Sequence, residues 1–285
     1  MKINTNIASL AAQEANTNTN NKLTNSLSKL SSGLRINKAS DDASGLAIAD
    51  KLRTQASSIG QAISNGNSAV AMMQIADKAM AEQSNILDIV KTKLIQAATD
   101  TTSEEGRTAI GKDVDKLLNQ LNNIAEQTNY NGTTLLQGAT SGSAAATLTF
   151  QMGETSSDTI GSTGGVRSNV SGLTLEALQS AAASGGTTAF TAAASRGFLD
   201  DIDSALNTLN GWRADFGSTQ NQLESAVRNQ MTQQTNIKAA ESVIRDVDYA
   251  AESANFNKLN IISQAGTYAM SQANNVQQNV TRLLQ

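Results

Sequence analysis

The side chains that could carry out chemistry in this sequence are few, and the most suggestive are closely spaced aspartates. Asp41 and Asp42 are adjacent, and Asp246 and Asp248 follow Arg245. Neighbouring carboxylates can ligate a metal ion, but the first pair stands just before a helical pattern, where negative charge stabilises the helix dipole. We therefore interpret Asp41 and Asp42 as helix-capping residues. We interpret the second pair as forming a solvated or interface ion pair with Arg245.

The composition excludes most catalytic machinery. The 285 residues include no histidine and no cysteine, which removes the commonest general base, the thiol nucleophile and the usual zinc ligands. The glycine-rich residues 161–165 lack the Lys-Ser/Thr pair of a phosphate-binding loop and are read as a turn. We expect no catalytic residue, no cofactor and no metal site, and hence a protein that is not an enzyme.

Charge and hydropathy narrow the range of partners. The formal net charge is −4, which argues against a general nucleic-acid binder. No apolar run approaches the roughly 18 residues of a membrane span, so we expect no membrane partner. The first residues, MKINTNIASLAAQ, lack the apolar core of a cleaved secretory signal. A cytosolic location and export by another route both stay open on these grounds.

Apolar residues recur at alternating steps of three and four over most of the chain, a spacing typical of coiled coils and helix bundles. The absence of proline fits long helices, because proline disrupts a helix interior. We predict a mainly α fold: a long antiparallel coiled-coil or bundle rod with a terminal helical hairpin and a small β-hairpin insert. The residues expected to pack the rod are Ile59, Ile63, Val70, Leu87, Leu94, Leu206, Leu209, Phe216 and Leu223.

Turn residues and a change of composition divide the chain into segments. The middle of the chain is rich in Gly, Ser, Thr and Ala; its alternating residues 146–152 predict a strand, and 173–183 a short helix. Ser40 is expected to be the N-cap of the first rod helix. The predicted segments are an N-terminal arm (1–42), the first part of the rod (43–136), a variable insert with a β-hairpin (137–196), the second part of the rod (197–242) and a C-terminal arm (243–285).

The two arms have weak apolar stripes and many Asn and Gln residues. Such helices are marginal when isolated in water. We therefore expect the arms to be disordered in the monomer and to become ordered by packing against neighbouring copies. The residues expected to pack in this way are Leu23, Leu27, Leu30, Leu34, Ile262, Val276, Val280 and Leu283.

Several motifs, in order and at both ends of the chain, resemble those of bacterial flagellin, the subunit of the flagellar filament. The resemblance covers roughly residues 1–155 and 197–285. Any one motif would be moderately specific, whereas the ordered set is highly specific. The matching motifs are INTN (3–6), LSSGLRIN (30–37), DDASGLAIA (41–49), NYNG (129–132), FQMG (150–153), SVIRDVDYA (242–250), QAG (264–266) and AN (273–274).

The resemblance implies that the terminal arms form a helical hairpin in the core of a filament, with the rod around it. It implies an extracellular protein that polymerises with itself into the propeller for swimming. It further implies export of the unfolded chain through the flagellar export apparatus, a chaperone bound to the C-terminal arm, and contacts with hook-associated and cap proteins.

Three other functional classes differ from this one in features that the sequence can show. A flagellar hook–filament junction adaptor shares the terminal pattern more loosely and is the main alternative. A secreted enzyme is disfavoured because the insert is short and the chain lacks histidine. A pore-forming translocator should show a long apolar hairpin, which the sequence lacks.

The sequence departs from the family pattern in two places. The insert is short, whereas many flagellins carry large outer domains. Where many flagellins have an Arg and a Glu that animal innate immune receptors recognise, this chain has Ile89 and Thr92. The exchange resembles flagellins of the Campylobacter and Helicobacter group and implies weak recognition by such a receptor. The altered stretch comprises Asp88, Ile89, Val90, Lys91, Thr92, Lys93 and Leu94.

The same resemblance suggests sugar modification of the insert. We expect O-linked sugars on serine and threonine side chains of residues 138–195. The N-glycosylation patterns at Asn131, Asn169 and Asn279 are interpreted as chance matches, because the chain is rich in Asn and Thr.

Overall fold

The computed structural model describes residues 5–138, 143–162, 164–184 and 190–283, and their side chains except those of residues 277 and 279–283. These ranges contain six helices and four short strands. The helices are α1 (Ile7–Ser32), α2 (Ala43–Ala98), α3 (Glu104–Gln127), α4 (Glu176–Ala183), α5 (Ala192–Arg245) and α6 (Tyr249–Leu283). The strands are β1 (Asn129–Tyr130), β2 (Thr133–Thr134), β3 (Thr149–Gln151) and β4 (Thr159–Gly161).

The chain divides into two compact units. The terminal unit consists of Met1–Ser57 and Gln234–Gln285, and the central unit consists of Ser58–Gln233. Helices α1 and α6 belong to the terminal unit, while α3, α4 and the four strands belong to the central unit. Helices α2 and α5 contribute residues to both. The predicted fold class, long antiparallel helices with a terminal helical pair and small β-hairpins, is confirmed.

Short polar side chains define where the helices begin. Asp42 Oδ1 accepts a hydrogen bond from the Gly45 N–H at 2.9 Å, so Asp42 is the N-cap of α2. The prediction that Ser40 caps this helix is therefore wrong, because α2 begins at Ala43. Ser103 caps α3 in the same way, accepting from the Gly106 N–H at 3.1 Å.

In the central unit, α2 and α5 pair antiparallel, as the ion pairs between them show. Asp77 lies 3.0 Å from Arg213, and Asp100 lies 3.4 Å from Arg196. Residue numbers therefore rise along α2 while they fall along α5. The Lys91 ammonium and the Asp203 carboxylate form a further pair in the same register.

Helix α3 runs back along α2. Lys93 lies 3.3 Å from Asp113, and the buried Gln83 side chain donates to the Leu121 carbonyl at 3.1 Å. The short connection around residues 99–103 makes the two helices antiparallel neighbours, as is usual for short helix–helix loops.

The helices of the central unit enclose one continuous apolar core. This core contains both small and large side chains, so the helices can approach closely without leaving cavities between them. Of the residues predicted to pack the rod, Ile59, Leu87, Leu94, Leu209, Phe216 and Leu223 are buried. The others, Ile63, Val70 and Leu206, are partly buried against the same core.

Two small hairpins lie in the central unit. β1 pairs with β2 through a two-residue turn in which Asn131 has φ 51° and Gly132 has φ 82°. Positive φ at both central positions is the signature of a type I′ turn. β3 pairs antiparallel with β4 in the register Phe150 to Ile160. The strand predicted over residues 146–152 is thus present but shorter, and the short helix predicted over 173–183 begins at Glu176.

Polar side chains attach the connecting segments of the insert to the helices. Asn122 of α3 accepts a hydrogen bond from the Val170 N–H at 2.8 Å. Gln83 of α2 donates to the Ser168 carbonyl at 3.0 Å. The segment before α4 is thereby fixed by backbone bonds to side chains of two different helices.

Candidate assembly surface

In the terminal unit, α1 and α6 pack side by side in opposite directions. Asn6 Nδ2 donates to the Ala273 carbonyl at 3.1 Å, near the start of α1 and the end of α6. Farther along, the Ser263 hydroxyl donates to Asn20 at 2.8 Å. Ser26, near the end of α1, donates to Glu252, near the start of α6.

Polar residues contribute several contacts of the seam between these two helices, beside the half-buried apolar side chains of Leu23, Phe256 and Leu259. Ser26 is the buried residue of α1. At Gly266 the helices come close, since a β-carbon there would lie 3.4 Å from Asn16 Oδ1. That oxygen is buried without a hydrogen-bond partner, which weakens the seam, because an unpaired buried acceptor costs about 1–3 kcal/mol.

Two short segments next to the helix ends pair with each other inside the terminal unit. The Arg35 N–H donates to the Arg245 carbonyl at 2.7 Å, and the Val247 N–H donates to the Gly33 carbonyl at 3.0 Å. Gly33 ends α1 with φ 74°, a conformation that glycine adopts without strain. The turn between α1 and α2 is thus tied to the turn between α5 and α6.

The charged residues around the turn between α5 and α6, which the sequence analysis considered, form hydrogen bonds and ion pairs within the terminal unit. Asp248 accepts from the Ala250 and Ala251 N–H groups and caps α6. The side chain of Arg245 is largely buried and reaches Asp50 at 3.6 Å and Glu241 at 4.0 Å. The predicted solvated ion pair of Arg245 with Asp246 and Asp248 within the chain is wrong, because Asp246 accepts from Ser242 and Asp248 caps α6. A pair formed at an interface stays a prediction.

Asp41 also has a structural role. The N–H groups of Lys38 and Asn37 donate to its carboxylate at 3.0 and 3.1 Å. These two bonds lower the pKa of the Asp41 carboxyl below its ordinary value of 3.8. Asp41 therefore closes the turn before α2 and does not stand in the first turn of the helix.

Large apolar side chains on the surface concentrate in the terminal unit. Among the described residues, ten of the fourteen exposed large apolar side chains belong to it, whereas only three of the 36 buried apolar residues do. A concentration of exposed apolar side chains in one part of a protein is typical of a surface that another molecule covers. We call the exposed apolar residues of α1 and α6 the assembly surface: Ile7, Leu10, Leu27, Tyr249, Ile261, Ile262, Tyr268 and Val276.

The residues predicted to pack the arms fall into two groups. Leu27, Ile262 and Val276 are 54%, 42% and 53% exposed and belong to the assembly surface. Leu23, Leu30 and Leu34 are half-buried. The side chains of Val280 and Leu283 lie outside the described residues.

Sequence analysis missed the most exposed members of this surface. Tyr268 is 75% exposed, and Ile261 and Ile7 are both 67% exposed. Ile261 and Tyr268 are seven residues apart and hence on one helix face. The seven-residue spacing is a signal present in the sequence, next to the stripe that contains Ile262 and Val276.

Net charge also distinguishes the units. The terminal unit has 11 Lys and Arg against eight Asp and Glu, a net charge of +3, and the central unit has ten against 17, a net charge of −7. The assembly surface is thus carried by the weakly basic part of an acidic protein, where self-repulsion between copies is smaller.

The stretch of α2 from Asp88 to Leu94, in which the sequence departs from the family pattern, contains both buried and exposed side chains. Val90 and Leu94 are buried, while Ile89 is 46% exposed. Lys91 and Lys93 are engaged with Asp203 and Asp113. The Thr92 hydroxyl donates to the Ile89 carbonyl at 2.7 Å, so it bonds within its own helix.

Two further kinds of site are absent from the residues that the structure describes. No group of three or more acidic side chains is arranged to hold a metal ion in that part of the chain. None of its helices combines the length and the apolar character needed to cross a membrane.

Comparison with known proteins gives a consistent result. The model for the bacterial flagellin N-terminal helical region matches residues 3–141, and that for the C-terminal helical region matches residues 199–284. Flagellin B of Helicobacter pylori is 50% identical over 167 residues, which are 56% of this chain and 32% of that protein. Flagellin of Bacillus subtilis is 33% identical over 309 residues and is matched over 100% of both chains.

The similarity is uneven in extent. The chain spans 27–49% of the length of the Helicobacter flagellins that it matches. A crystal structure of Bacillus cereus flagellin, 25% identical, superposes with a TM-score of 0.49 over 62% of this chain and 94% of that one.

Proposed function

The chain belongs to the bacterial flagellin family, and on that premise we propose that it is the structural subunit that polymerises into the flagellar filament. The observation that supports this proposal most directly is the assembly surface on α1 and α6. An apolar surface of this kind on a subunit with a separate, well-filled core is suited to contacts with further copies. The filament is the extracellular propeller of a swimming cell.

The proposed mechanism is mechanical. Each copy covers the assembly surface of its neighbours, and each Å² of apolar surface removed from water contributes about 25 cal/mol. Because the contacts join different patches and do not close, they generate an open helical array. The arms, 1–42 and 243–285, supply the core of this array, and the rod segments surround it.

Seeded growth tests the proposal. Purified protein is mixed with sheared filament fragments, and growth is followed by turbidity and negative-stain electron microscopy. Removal of residues 261–285 takes away Ile261, Tyr268 and Val276 and should abolish elongation while the central unit stays folded. Near-ultraviolet circular dichroism of Trp212, which packs against the central core, reports on that unit. Normal filaments from the truncated chain would contradict the proposal.

A paired substitution tests the surface without truncation. Ile261→Ser combined with Tyr268→Ser should slow elongation strongly, because both side chains lie exposed on α6. The matched control is Ser271→Ala, which changes an exposed polar residue of the same helix and should elongate like the parent protein. Equal elongation by all three proteins would exclude a role for this face of α6.

The unpaired Asn16 oxygen and the exposed apolar side chains of α1 and α6 support a further part of the proposal. This part states that the two helices gain most of their order on assembly. Hydrogen exchange of the monomer should show little protection of the amides in these helices compared with α3. The filament should protect them. Full protection of α1 and α6 in the monomer would contradict this part and leave the polymer assignment standing.

Partners beyond the polymer are proposed from the family alone. The apolar residues of α6 suit an export chaperone that covers the C-terminal arm before assembly. Co-purification of the chaperone with the full chain, but not with a chain lacking residues 261–285, is the expected result. Export apparatus, hook-associated proteins and cap protein complete the proposed set.

Two surface properties of the subunit are also proposed. Ile89 and Thr92 should make recognition by the innate immune receptor weak, so a reporter-cell assay should give far less than full activation. O-linked sugars should raise the intact mass of native filaments above that of the polypeptide. Asn169 is unsuited to N-glycosylation when folded, since it is 6% exposed and bonds to Gln137 and to the Gly172 N–H.

A further inference from the structure

Three Asn-Gly pairs occur in this chain, at Asn65, Asn131 and Asn210, and they occupy different backbone environments. Asn-Gly is the dipeptide most open to spontaneous deamidation, because glycine has no side chain to hinder attack by its own backbone nitrogen. We propose that Asn131 is a site of spontaneous deamidation and isoaspartate formation, and that the folded chain protects the other two pairs.

The reaction needs only water. The Gly132 backbone nitrogen loses its proton and attacks the Asn131 side-chain carbonyl carbon, so that a carbon–nitrogen bond forms and ammonia leaves. Water then adds to either carbonyl of the resulting five-membered imide and opens it. The products are aspartate or isoaspartate, and the net change is the replacement of an amide by a carboxylate with release of ammonia.

At Asn131 the backbone is accessible to this reaction. Asn131 and Gly132 are both exposed and form the two central residues of the type I′ turn. The Gly132 N–H donates to no backbone carbonyl in the described part of the chain. A β-carbon built on Gly132 would meet no atom within 4 Å. Rearrangement of a two-residue turn is therefore enough to bring nitrogen and carbonyl together.

Asn210 is the informative comparison, because it is exposed like Asn131 but its backbone is helical and not part of a turn. Asn210 and Gly211 are exposed, and a β-carbon on Gly211 would also meet no atom within 4 Å. Both residues, however, lie inside α5, where each backbone N–H is committed to a carbonyl one turn earlier. The reaction there requires local opening of the helix.

Asn65 is protected from deamidation both by its position inside a helix and by hydrogen bonds of its side chain. It lies inside α2, its amide nitrogen donates to the Gln151 carbonyl at 3.3 Å, and its oxygen accepts from Gln61 at 3.0 Å. Gly66 is buried, and a β-carbon there would lie 2.5 Å from Val227. Opening at this position would disturb the contact of Met152 with the helix as well.

Modification at Asn131 has a defined structural consequence. The iso form adds one carbon to the main chain between the two strands, so the pairing of Tyr130 with Thr133 loses its register. The normal aspartate form keeps the backbone and adds one negative charge to a unit whose net charge is −7.

The test compares the three sites within one sample. The full-length monomer is aged at mildly alkaline pH in water enriched in heavy oxygen, and peptide mapping follows label uptake and isoaspartate at each Asn-Gly pair. We expect Asn131 to convert faster than Asn210 by roughly tenfold or more, since about 1.4 kcal/mol of helix-opening free energy is worth a factor of ten. Asn65 should convert no faster than Asn210.

Controls separate structure from sequence. In the urea-unfolded chain the three pairs should convert at similar rates, and Asn131→Gln should remove the fast site without changing the other two. Conversion of Asn210 at the rate of Asn131 in the folded chain would overturn the proposal. So would the absence of conversion at Asn131 over a time in which the unfolded chain reacts.

Discussion

The two units of this molecule use their helices for opposite purposes. In the central unit, helices α2, α3 and α5 place Leu87, Leu118 and Leu209 at 0% exposure in a shared core. In the terminal unit, helices α1 and α6 contact each other partly through Asn, Ser and Gly residues and leave Ile261 and Tyr268 exposed to solvent. Packed helices can thus bury their large apolar side chains within the chain, as in the central unit, or leave several of them exposed to solvent, as in the terminal unit.

The clearest test of this difference is the same truncation in each unit. Leu118→Ala should destabilise the central unit by about 2–5 kcal/mol, because it leaves a cavity in a filled core. Leu27→Ala, at a side chain that is 54% exposed, should change the monomer's stability by less than about 0.5 kcal/mol. Urea unfolding followed by Trp212 fluorescence and by far-ultraviolet circular dichroism gives both values. Equal losses would mean that the terminal unit has a core of its own.

Glycine substitutions examine close packing within the central unit. A β-carbon at Gly66 would lie 2.5 Å from Val227 and 2.7 Å from Met152, so Gly66→Ala should cost about 1–3 kcal/mol through overpacking. Gly211→Ala is the matched control, since no atom lies within 4 Å of the new carbon and alanine favours a helix by about 1 kcal/mol. Thermal unfolding should shift in opposite directions for the two variants. A stabilising Gly66→Ala would contradict the observed packing.

The ion pairs between α2 and α5 should contribute less than the core. Asp77 and Arg213 are each about one-third exposed, and pairs in such surroundings are worth roughly 0.2–1 kcal/mol. A double-mutant cycle with Asp77→Asn and Arg213→Gln measures the coupling directly. A coupling energy well above this range would show that charge, and not the apolar seam, sets the helix register.

The smallest expected effect is the pH response of the turn before α2. The folded pKa of Asp41 lies below its ordinary value of 3.8, so its contribution is present at neutral pH and is lost as the pH falls through the folded pKa. The hydrogen exchange of the Asn37 and Lys38 amides should therefore lose its protection only below about pH 3.8. The variant Asp41→Ala, which has no side-chain acceptor, should lose the protection of these two amides at neutral pH. Unchanged protection in that variant would rule out the two hydrogen bonds as the cause.

Much of this architecture was predictable because apolar periodicity is a local signal. The steps of three and four that include Leu87, Leu94 and Leu223 predicted long helices, and these side chains lie buried in the central unit. The Asn131-Gly132 turn was equally predictable, since this dipeptide favours positive φ at both positions.

The features that escaped prediction depend on distant segments meeting. Ile36 was part of a family motif without an assigned role, yet it is 2% exposed and lies beside Gly45 at the start of α2. Arg35 donates to the carbonyls of Ile244 and Arg245, which are more than 200 positions away in the sequence. No periodicity within either segment indicates the other.

The order of residues in this chain therefore dictated its helices and hairpins, because helix and turn preferences depend on neighbours within a few positions. Folding in three dimensions decided which apolar stripes were covered. The stripe at Leu87 and Leu94 and the stripe at Ile262 and Val276 have similar spacing, and only the first is buried within the chain. Burial depends on what packs opposite in the fold, and the spacing along one helix does not specify that partner.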